Sequence, residues 1–224
     1  HPDDELLGLG GTLNHLVQDN KCQVHVVILG EGITSRSLER NTSDWVKELE
    51  EHKRNISDAK KLIGYQTLST FDLPDNRFDS TPLLDIIKII EGEKAKFQPD
   101  IVFTHHGGDL NIDHQRTFEA VMTACRPMED ECVKAIITFE TPSGTEWRAS
   151  SDPRHFVPNF FVELQSKHLQ AKVDAMECYA YEKRSFPHPR SSQGLRILAG
   201  YRGISVGKKY VEAFQIIRHI IKTN

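Results

Sequence analysis

The sequence lacks the features that mark several classes of protein. Its 224 residues contain no apolar run that approaches the roughly 20 residues a membrane-spanning helix needs. Its 28 basic and 32 acidic residues give a net charge of −4, so there is no basic excess of the kind that nucleic-acid-binding proteins show. We therefore expect no membrane span and no nucleic-acid partner. The length suits a single α/β domain.

Cysteine is scarce and scattered. The four cysteines include no Cys-x-x-Cys pair, and four are too few for a disulfide scaffold in a chain of this length. We expect buried free thiols and, from them, a cytoplasmic location. The sequence also opens at His1 rather than at a methionine. We therefore expect residues to precede it, including a strand, and a signal peptide among them stays open.

Apolar runs typical of strands alternate with helical patterns along the chain, which is the signature of a layered α/β sheet. Strands are predicted at Cys22–Leu29, Thr67–Phe71, Ile101–Thr104, Val133–Phe139 and Phe160–Leu164. Helices are predicted at Leu6–Gln18, Ser43–Ile63, Pro82–Phe97, Asp113–Cys125, Ser166–Tyr181 and Ser191–Ala199. The segment Tyr210–Ile217 fits a strand or a helix about equally, because its apolar period is ambiguous.

The first polar motif is His1-Pro2-Asp3-Asp4-Glu5, which holds three carboxylates and one imidazole in five residues. One interpretation is a helix start, because proline and acidic residues suit the first turn of a helix. The other is that His1 and Asp4 bind a metal while Asp3 faces the water bound to it. Both can hold together, since a turn between a strand and a helix can bring ligands to one point.

The second polar motif runs from His105 to His114 and follows the predicted strand Ile101–Thr104. Six of its ten residues can bind a metal or a proton, and Gly107 and Gly108 let the backbone bend sharply. Open α/β sheets bind their ligands at the carboxyl ends of strands. Two polar motifs at such ends favour a single site over two flexible loops.

The two motifs together resemble those of the GlcNAc-phosphatidylinositol de-N-acetylases and LmbE-like deacetylases. The hallmark His-Pro-Asp-Asp-Glu is matched by His1 to Glu5, and the distant Asp-His is matched by Asp113-His114. The resemblance implies a Rossmann-like, mostly parallel sheet flanked by helices, and one zinc ion per chain. It implies that His1, Asp4 and His114 are the metal ligands and that Asp3 is the general base. It also implies one deacetylase domain over 1–224, to whose substrate pocket the subregion 140–224 contributes.

The resemblance further implies a substrate and a chemistry. The substrate would be a small N-acetylated sugar, free or linked to a nucleotide or a lipid. An acetamide resists neutral water, and zinc can lower the pKa of bound water to about 7. Asp3 could take the proton of that water, which is help worth about 10² to 10⁴-fold.

One position departs from the family pattern. Many members have His-Pro-Asp-His in the second motif, whereas this chain has Asn111-Ile112-Asp113-His114. An amide at Asn111 can donate a hydrogen bond to an oxyanion but cannot deliver a proton. His188 is a candidate to replace the missing histidine, as are His105 and His106. Asp113 is expected to orient an imidazole, and a plain salt bridge is its alternative.

Substrate contacts are predicted for residues in or near loops and helix ends. Arginine binds phosphate or carboxylate with a planar fork, although the default interpretation of any one of these arginines is a solvated surface residue. Trp147 could stack on a sugar ring or fill the edge of the core. The predicted substrate-binding residues are Arg36, Arg54, Arg77, Trp147 and Arg190, with Arg202 a further possibility. The remaining histidines, His15 and His168 among them, show no ligand spacing and are predicted to be structural or exposed.

Two other functions stay open at this point. Acid-rich strand ends also bind Mg²⁺ or Mn²⁺ in phosphoesterases, although such sites usually have more carboxylates than imidazoles. A metal- or sugar-binding module without activity would explain Asn111. Charged helix faces are compatible with a homo-oligomer, but nothing in the sequence is diagnostic.

Overall fold

The computed structural model describes residues 1–221 of the chain, in two compact units. The first unit comprises His1–Asp75 and Phe161–Glu212, and the second comprises Asn76–Phe160 and the chain from Ala213 onward. A single domain over 1–224 stays a prediction. Between residues 1 and 221, no helix has both the length and the apolar character that crossing a membrane requires.

Helices and strands alternate along the chain. The helices are α1 (Asp4–Gln18), α2 (Val46–Ile63), α3 (Leu83–Phe97), α4 (Ile112–Ala124), α5 (Ser166–Glu177) and α6 (Ser192–Ile204). The strands are β1 (His25–Gly30), β2 (Thr67–Leu73), β3 (Ile101–His105), β4 (Ala135–Phe139), β5 (Phe160–Glu163) and β6 (Val211–His219).

The first unit is built around a parallel pair of strands. β1 and β2 run side by side with His25 opposite Thr67 and Ile28 opposite Thr70. Helix α1 packs on α5 and α2, and α5 also packs on α2 and α6. The fully buried side chains of this unit include Leu6, Leu7, Ile33, Ile63, Leu169 and Tyr179. Their burial supplies the apolar core on which the polar first motif rests.

The second unit contains a parallel and an antiparallel strand pair. β3 pairs with β4 in parallel from Ile101 opposite Ala135, and β4 pairs with β6 in antiparallel fashion. Helix α3 packs on α4. Val121, Cys125, Val133 and Ile136 form a buried apolar cluster in this unit.

The α/β architecture of sheets flanked by helices is confirmed, with both parallel and antiparallel strand pairs, and the ambiguous segment near Tyr210 is a strand. Several predicted boundaries are wrong by a few residues. The strand predicted from Cys22 begins at His25, and the helix predicted to end at Tyr181 ends at Glu177. The early end has a physical cause: Tyr179 is buried and its hydroxyl donates to a carboxylate of the first motif.

Two further boundaries differ as well. The helix predicted from Ser43 starts as the short 3-10 turn Thr42–Trp45, which the side chain of Asn41 caps, and only then becomes α2. The helix predicted to end at Ala199 continues to Ile204. All four cysteines are free thiols; Cys125 is buried and the other three are half-buried.

Helix α1 is broken near its middle, and a buried ion pair repairs the break. Leu9 has φ −149° and ψ 20°, which are not helical angles. The carboxylate of Glu212 accepts hydrogen bonds from the backbone of Gly11 at 3.1 Å and Thr12 at 2.6 Å. Lys172 donates to the carbonyl of Leu7 at 2.9 Å and to Glu212 at 2.7 Å. Backbone groups that lost their helical partners are therefore satisfied by two buried side chains.

Candidate functional site

Asp3 lies at the start of α1 in a strained backbone conformation. Its φ of 103° is in the left-handed region, which costs of order 1–3 kcal/mol for a residue other than glycine. Its carbonyl accepts from the backbone of Leu6 at 2.9 Å and Leu7 at 2.8 Å, which begins the helix. Its own N–H donates to Glu5 at 3.1 Å. These bonds hold the strained residue in place.

Glu5 is the support beneath this turn. One carboxylate oxygen accepts the N–H of Asp3, and the other accepts the hydroxyl of Tyr179 at 2.8 Å. Burial raises the pKa of Glu5 to about 7, although the hydrogen bond from Tyr179 opposes the rise. Glu5 was not among the predicted site residues. The structure gives it the role of fixing the backbone beside the predicted base.

The side chain of Asp3 is only 2% exposed and meets one guanidinium. Arg190 Nη1 lies 3.0 Å from Asp3 Oδ2 and also 2.9 Å from Glu182 Oε2. Burial raises the pKa of Asp3 well above its usual value, while Arg190 lowers it. A carboxylate whose pKa is raised towards neutrality suits the task of a general base.

His1 faces a carboxylate that the sequence analysis did not single out. Its Nε2 lies 3.3 Å from Oδ1 of Asp75. The other oxygen of Asp75 accepts from the backbone N–H of Ser35 at 3.1 Å and from its hydroxyl at 2.6 Å. We call His1, Asp75 and Ser35 the first histidine relay. Asp75 belongs to the polar loop after β2. The polar composition of that loop is the feature of the sequence that could have pointed to it.

In the second unit, the second motif follows β3 and leads into α4. Gly108 has no room for a side chain, because a Cβ there would lie 1.8 Å from the carbonyl oxygen of Arg154. The same carbonyl lies 2.8 Å from Nε2 of His106. The glycines were predicted to allow a sharp bend. At Gly108 the structure shows a different need, which is close approach of two backbone segments.

Asn111 caps α4. Its side-chain oxygen accepts the N–H of Asp113 at 2.8 Å, and its amide nitrogen donates to the side chain of Asn76 at 3.0 Å. Asparagine is among the preferred residues at this position. The sequence analysis considered Asn111 only as a replacement for a catalytic histidine. Its structural role as a helix cap was missed.

Asp113 holds a neighbouring loop. Its carboxylate accepts from the backbone N–H of Asn76 at 2.6 Å and of Phe78 at 2.9 Å. These bonds fix the start of the segment that leads to the short helix Phe78–Ser80. The expected role of Asp113, to orient an imidazole, stays a prediction.

His114 is 3% exposed and faces the carboxylate of Asp109. Its Nδ1 lies 3.2 Å from Oδ1 of Asp109, whose Oδ2 accepts the hydroxyl of Thr145 at 2.5 Å. Burial raises the pKa of Asp109, but its bonds to His114 and Thr145 outweigh that effect and lower it. We call His114, Asp109 and Thr145 the second histidine relay. The ring of His114 also stacks on His105, with centroids 4.2 Å apart.

The predicted substrate arginines differ in their surroundings. Arg36 donates to the carbonyl of Tyr181 at 3.0 Å and to Glu182 at 2.5 Å, and Arg190 is held by carboxylates as described above. Arg54 is exposed on α2, whereas Arg77 is half-buried just before Phe78–Ser80. Trp147 is 53% exposed at the end of the turn Thr145–Trp147. Its side chain is thus open to solvent.

His188 lies two residues before Arg190 in the first unit. The N–H of Arg190 donates to Nδ1 of His188 at 3.2 Å. In the neutral ring this leaves the proton on Nε2, which can then donate a hydrogen bond. Burial lowers the pKa of His188, and the charge of Arg190 lowers it further.

His15 and His168 were predicted to be structural or exposed, and the structure brings them together with Asp19. Their ligand atoms lie within 4.8 Å of one another. However, the N–H of Gln165 donates to Nδ1 of His168 at 3.2 Å, so the neutral ring carries its proton on Nε2. That nitrogen lies 2.8 Å from Asp19. These contacts bring the three side chains into one cluster, and a structural role for the two histidines stays a prediction.

Comparison with known proteins gives a family and a curated relative. The family model described as PIG-L, GlcNAc-PI de-N-acetylase, matches residues 1–125. The uncharacterized deacetylase YaiS of Escherichia coli is 27% identical over 182 residues, which are 79% of this chain and 85% of that protein. The family match includes the first motif and residue 114.

Solved structures share the fold at lower identity. The N,N'-diacetylchitobiose deacetylase of Pyrococcus horikoshii has a TM-score of 0.75 at 18% identity, covering 97% of this chain and 81% of that one. GalB of Pseudomonas putida, a 4-carboxy-2-hydroxymuconate hydratase, has a TM-score of 0.73 at 20% identity, covering 100% and 95%. At such identities the likeness shows the fold alone. One fold thus serves two different reactions.

Proposed function

Because the chain belongs to the PIG-L family, described as GlcNAc-PI de-N-acetylase, we propose that it is a zinc-dependent hydrolase acting on N-acetylated sugars. The reaction would remove the acetyl group from an N-acetylamino sugar or its conjugate. The deacetylase relatives support this choice of reaction.

The observation that carries the proposal is the state of Asp3. It is buried, held by Arg190, and fixed in a strained conformation by Glu5, all at the motif that the family shares. A carboxylate serving only as a helix cap would have no need of a guanidinium partner or a left-handed backbone. Strain and raised pKa values of this kind concentrate at functional sites.

The residues of the two motifs fit a zinc ion chemically. We propose one ion per chain, bound by His1, Asp4 and His114. Imidazole and carboxylate are common zinc ligands, and three protein ligands leave one position open. Each of the two imidazoles faces a buried carboxylate within its own unit, as histidine ligands of metals commonly do. When bound, zinc would activate a water molecule and polarise the acetyl carbonyl.

The protein side chains would manage the protons. Asp3 takes a proton as the water attacks, and its raised pKa lets it hold that proton afterwards. The amide nitrogen of Asn111 uses one hydrogen to bond to Asn76. It donates its second hydrogen to the acyl oxygen of the substrate. Asp3 then passes the proton it took from water to the departing amine, while the neutral ring of His188 donates a hydrogen bond from Nε2 to the substrate. These roles replace those of the histidine that the second motif lacks.

Substrate recognition is proposed to involve Trp147, whose exposed ring could stack on the apolar face of a sugar. Arg54 and Arg77 are proposed to bind a phosphate of a linked nucleotide or lipid, and the exposed Arg54 is better placed for this than Arg36 and Arg190. The latter two are engaged with carboxylates of the protein.

The other candidate functions have less support. A two-metal phosphoesterase would favour carboxylate ligands, whereas the proposed set has two imidazoles and one carboxylate. The hydratase among the structural neighbours shows that the fold does not choose the reaction. The first motif therefore has to be tested by chemistry.

A panel of N-acetyl sugars, free and nucleotide-linked, would test the proposal. Protein loaded with one equivalent of zinc is incubated with each compound, and mass spectrometry follows the loss of about 42 Da for each acetyl group removed, as expected of metal-assisted amide hydrolysis. Release of acetate from at least one amino sugar is expected. If fully loaded, folded protein released none from any compound, the proposal would be wrong.

A further inference from the structure

Asp109 was not among the predicted site residues, yet its surroundings are those of a functional carboxylate. It is 0% exposed, although no lysine or arginine bonds to it among the contacts described here. Its partners are the N–H of Asn111 at 2.8 Å, Nδ1 of His114 at 3.2 Å and the hydroxyl of Thr145 at 2.5 Å. A charge buried this deeply needs such partners to remain ionised.

Thr145 leaves Asp109 little freedom to turn. The oxygen of its hydroxyl accepts the N–H of Thr141 at 2.7 Å, so its hydrogen is free to be donated to Asp109. The neighbouring Gly144 lies so close that a Cβ there would sit 2.8 Å from the carboxylate. Glu146 holds this turn by accepting the N–H of Ser143 at 2.6 Å and of Gly144 at 3.2 Å. The hydrogen-bonded turn 141–146 therefore fixes the position of the Asp109 carboxylate.

We propose that Asp109, seated by Thr145, is the positioning residue for His114: it keeps the proton of the imidazole on Nδ1 and so presents the lone pair of Nε2. This inference rests on the proposed function, since it assigns His114 as a metal ligand. A carboxylate can accept a hydrogen bond but cannot donate one, so the approach of Asp109 Oδ1 to Nδ1 at 3.2 Å favours the form of the ring that carries its proton on Nδ1. The partner of the remote nitrogen in this way sets which nitrogen of a ligand histidine meets the metal.

The proposal moves a role from one residue to another. The sequence analysis expected Asp113, next to His114 in the chain, to orient an imidazole. The carboxylate that faces His114 Nδ1 is that of Asp109, five residues earlier, because the turn before α4 folds it back towards the first turn of the helix. Asp113 receives two backbone N–H groups of the loop at Asn76 and Phe78.

The first measurement needs no metal and no substrate. Nitrogen-15 NMR of the metal-free protein reports which imidazole nitrogen carries the proton, with His114→Gln used to assign the signal. We expect His114 of the unaltered protein to be protonated on Nδ1. In Asp109→Ala we expect the Nε2-protonated form to appear, and in Asp109→Asn we expect the original form to return, because the amide oxygen can still accept.

The second measurement is zinc affinity, by competition with a chelator. Loss of such a partner typically weakens metal binding about 10 to 100-fold, which we expect for Asp109→Ala, with Asp109→Asn between it and the unaltered protein. Thr145→Val should weaken binding less, and Thr145→Ser should restore it to within about twofold, because serine keeps the hydroxyl. Asp130→Asn, an exposed acidic residue of the same unit, serves as the matched control.

Thermal unfolding of each variant separates a local effect from loss of the fold. If Asp109→Ala does not fold, Thr145→Val is judged by the same two measurements. The inference is overturned if the folded variant keeps His114 protonated on Nδ1 and binds zinc as tightly as the unaltered protein. Failure of the proposed function would show itself differently, as absence of acetate release from the unaltered, zinc-loaded protein.

Discussion

The two histidine relays reach the same arrangement by different routes. In the second relay, His114 and Asp109 are five residues apart, and the cap and turn before α4 bring them together. In the first relay, His1 and Asp75 lie 74 positions apart in the sequence. Asp75 stands in the loop after β2, and the parallel pairing of β2 with β1 positions the start of that loop. In each, a hydroxyl holds the carboxylate at 2.5–2.6 Å.

The two relays also differ in how deeply their side chains are buried. The second relay is nearly sealed: the side chain of Asp109 is 0% exposed, against 6% for Asp75, and that of His114 is 4% exposed, against 11% for His1. A sealed carboxylate cannot be replaced by water when it is removed. We therefore expect the second relay to be the more sensitive to substitution.

The largest effect is expected at Asp3, which lies outside both relays. Asp3 is proposed to transfer a proton, whereas the carboxylates of the relays position histidines. Asp3→Asn removes the group that would accept the proton of water, and general-base help is worth about 10² to 10⁴-fold. We expect acetate release to fall by that factor while bound zinc, measured by elemental analysis, stays at one equivalent. Undiminished activity would remove Asp3 from the mechanism.

The next largest effect is expected on the stability of α1, the helix that begins at the first motif. α1 depends on the buried pair Lys172–Glu212 from distant parts of the chain, so Lys172→Met leaves Glu212 as an unpaired buried charge. Breaking a buried pair in this way costs about 3–5 kcal/mol of unfolding free energy. Urea unfolding measures it, and Lys167→Met, which breaks an exposed pair with Asp19, is the control, expected to change by about 1 kcal/mol or less. Equal effects of the two variants would contradict the prediction.

The two relays can be compared directly by zinc affinity. Asp75→Ala should weaken binding by about tenfold, the lower end of the range for partners of histidine ligands, because water can take the place of its carboxylate beside the more exposed His1. Asp109→Ala should cost more. If Asp75→Ala were the more damaging of the two, burial would not be what distinguishes the relays.

The smallest effect is expected at the cap of α4. Asn111→Ala removes the oxygen that accepts the N–H of Asp113, and loss of such a cap costs about 1 kcal/mol. Thermal or urea unfolding measures the loss, and Asn111→Ser, which can cap the helix as well, should recover most of it. A variant as unstable as Lys172→Met would show that Asn111 does more than cap α4.

Much of the fold could be predicted because its signals are local. The alternation of apolar periods gave the order of helices and strands, and the two polar motifs marked where α1 and α4 begin. What stayed hidden was contributed by residues far along the chain. Neither Arg190 beside Asp3 nor Glu212 beneath α1 has any local pattern that announces its partner. Tyr210 onward was ambiguous for the same reason, since pairing with β4 decides its structure.

Within the candidate site the same limit applied at shorter range. Asp113 was predicted to orient an imidazole and Asp109 was not, because the approach of Asp109 to His114 depends on the folded turn before α4. His15 and His168 lie on different helices and are brought together only by the packing of α1 on α5. Spacing in the sequence could not reveal either relationship.

The left-handed backbone of Asp3 restricts which amino acids can stand at that position. Aspartate and asparagine tolerate this conformation better than other residues with side chains, so asparagine can replace the acid without disturbing the turn. Glutamate would keep the charge but suffer the backbone penalty, and its carboxylate would lie one carbon further from the main chain than the one that now meets Arg190. A longer acid is thus a poorer substitute here than a neutral amide of the same length, and chemical similarity is the wrong guide to tolerance at this residue.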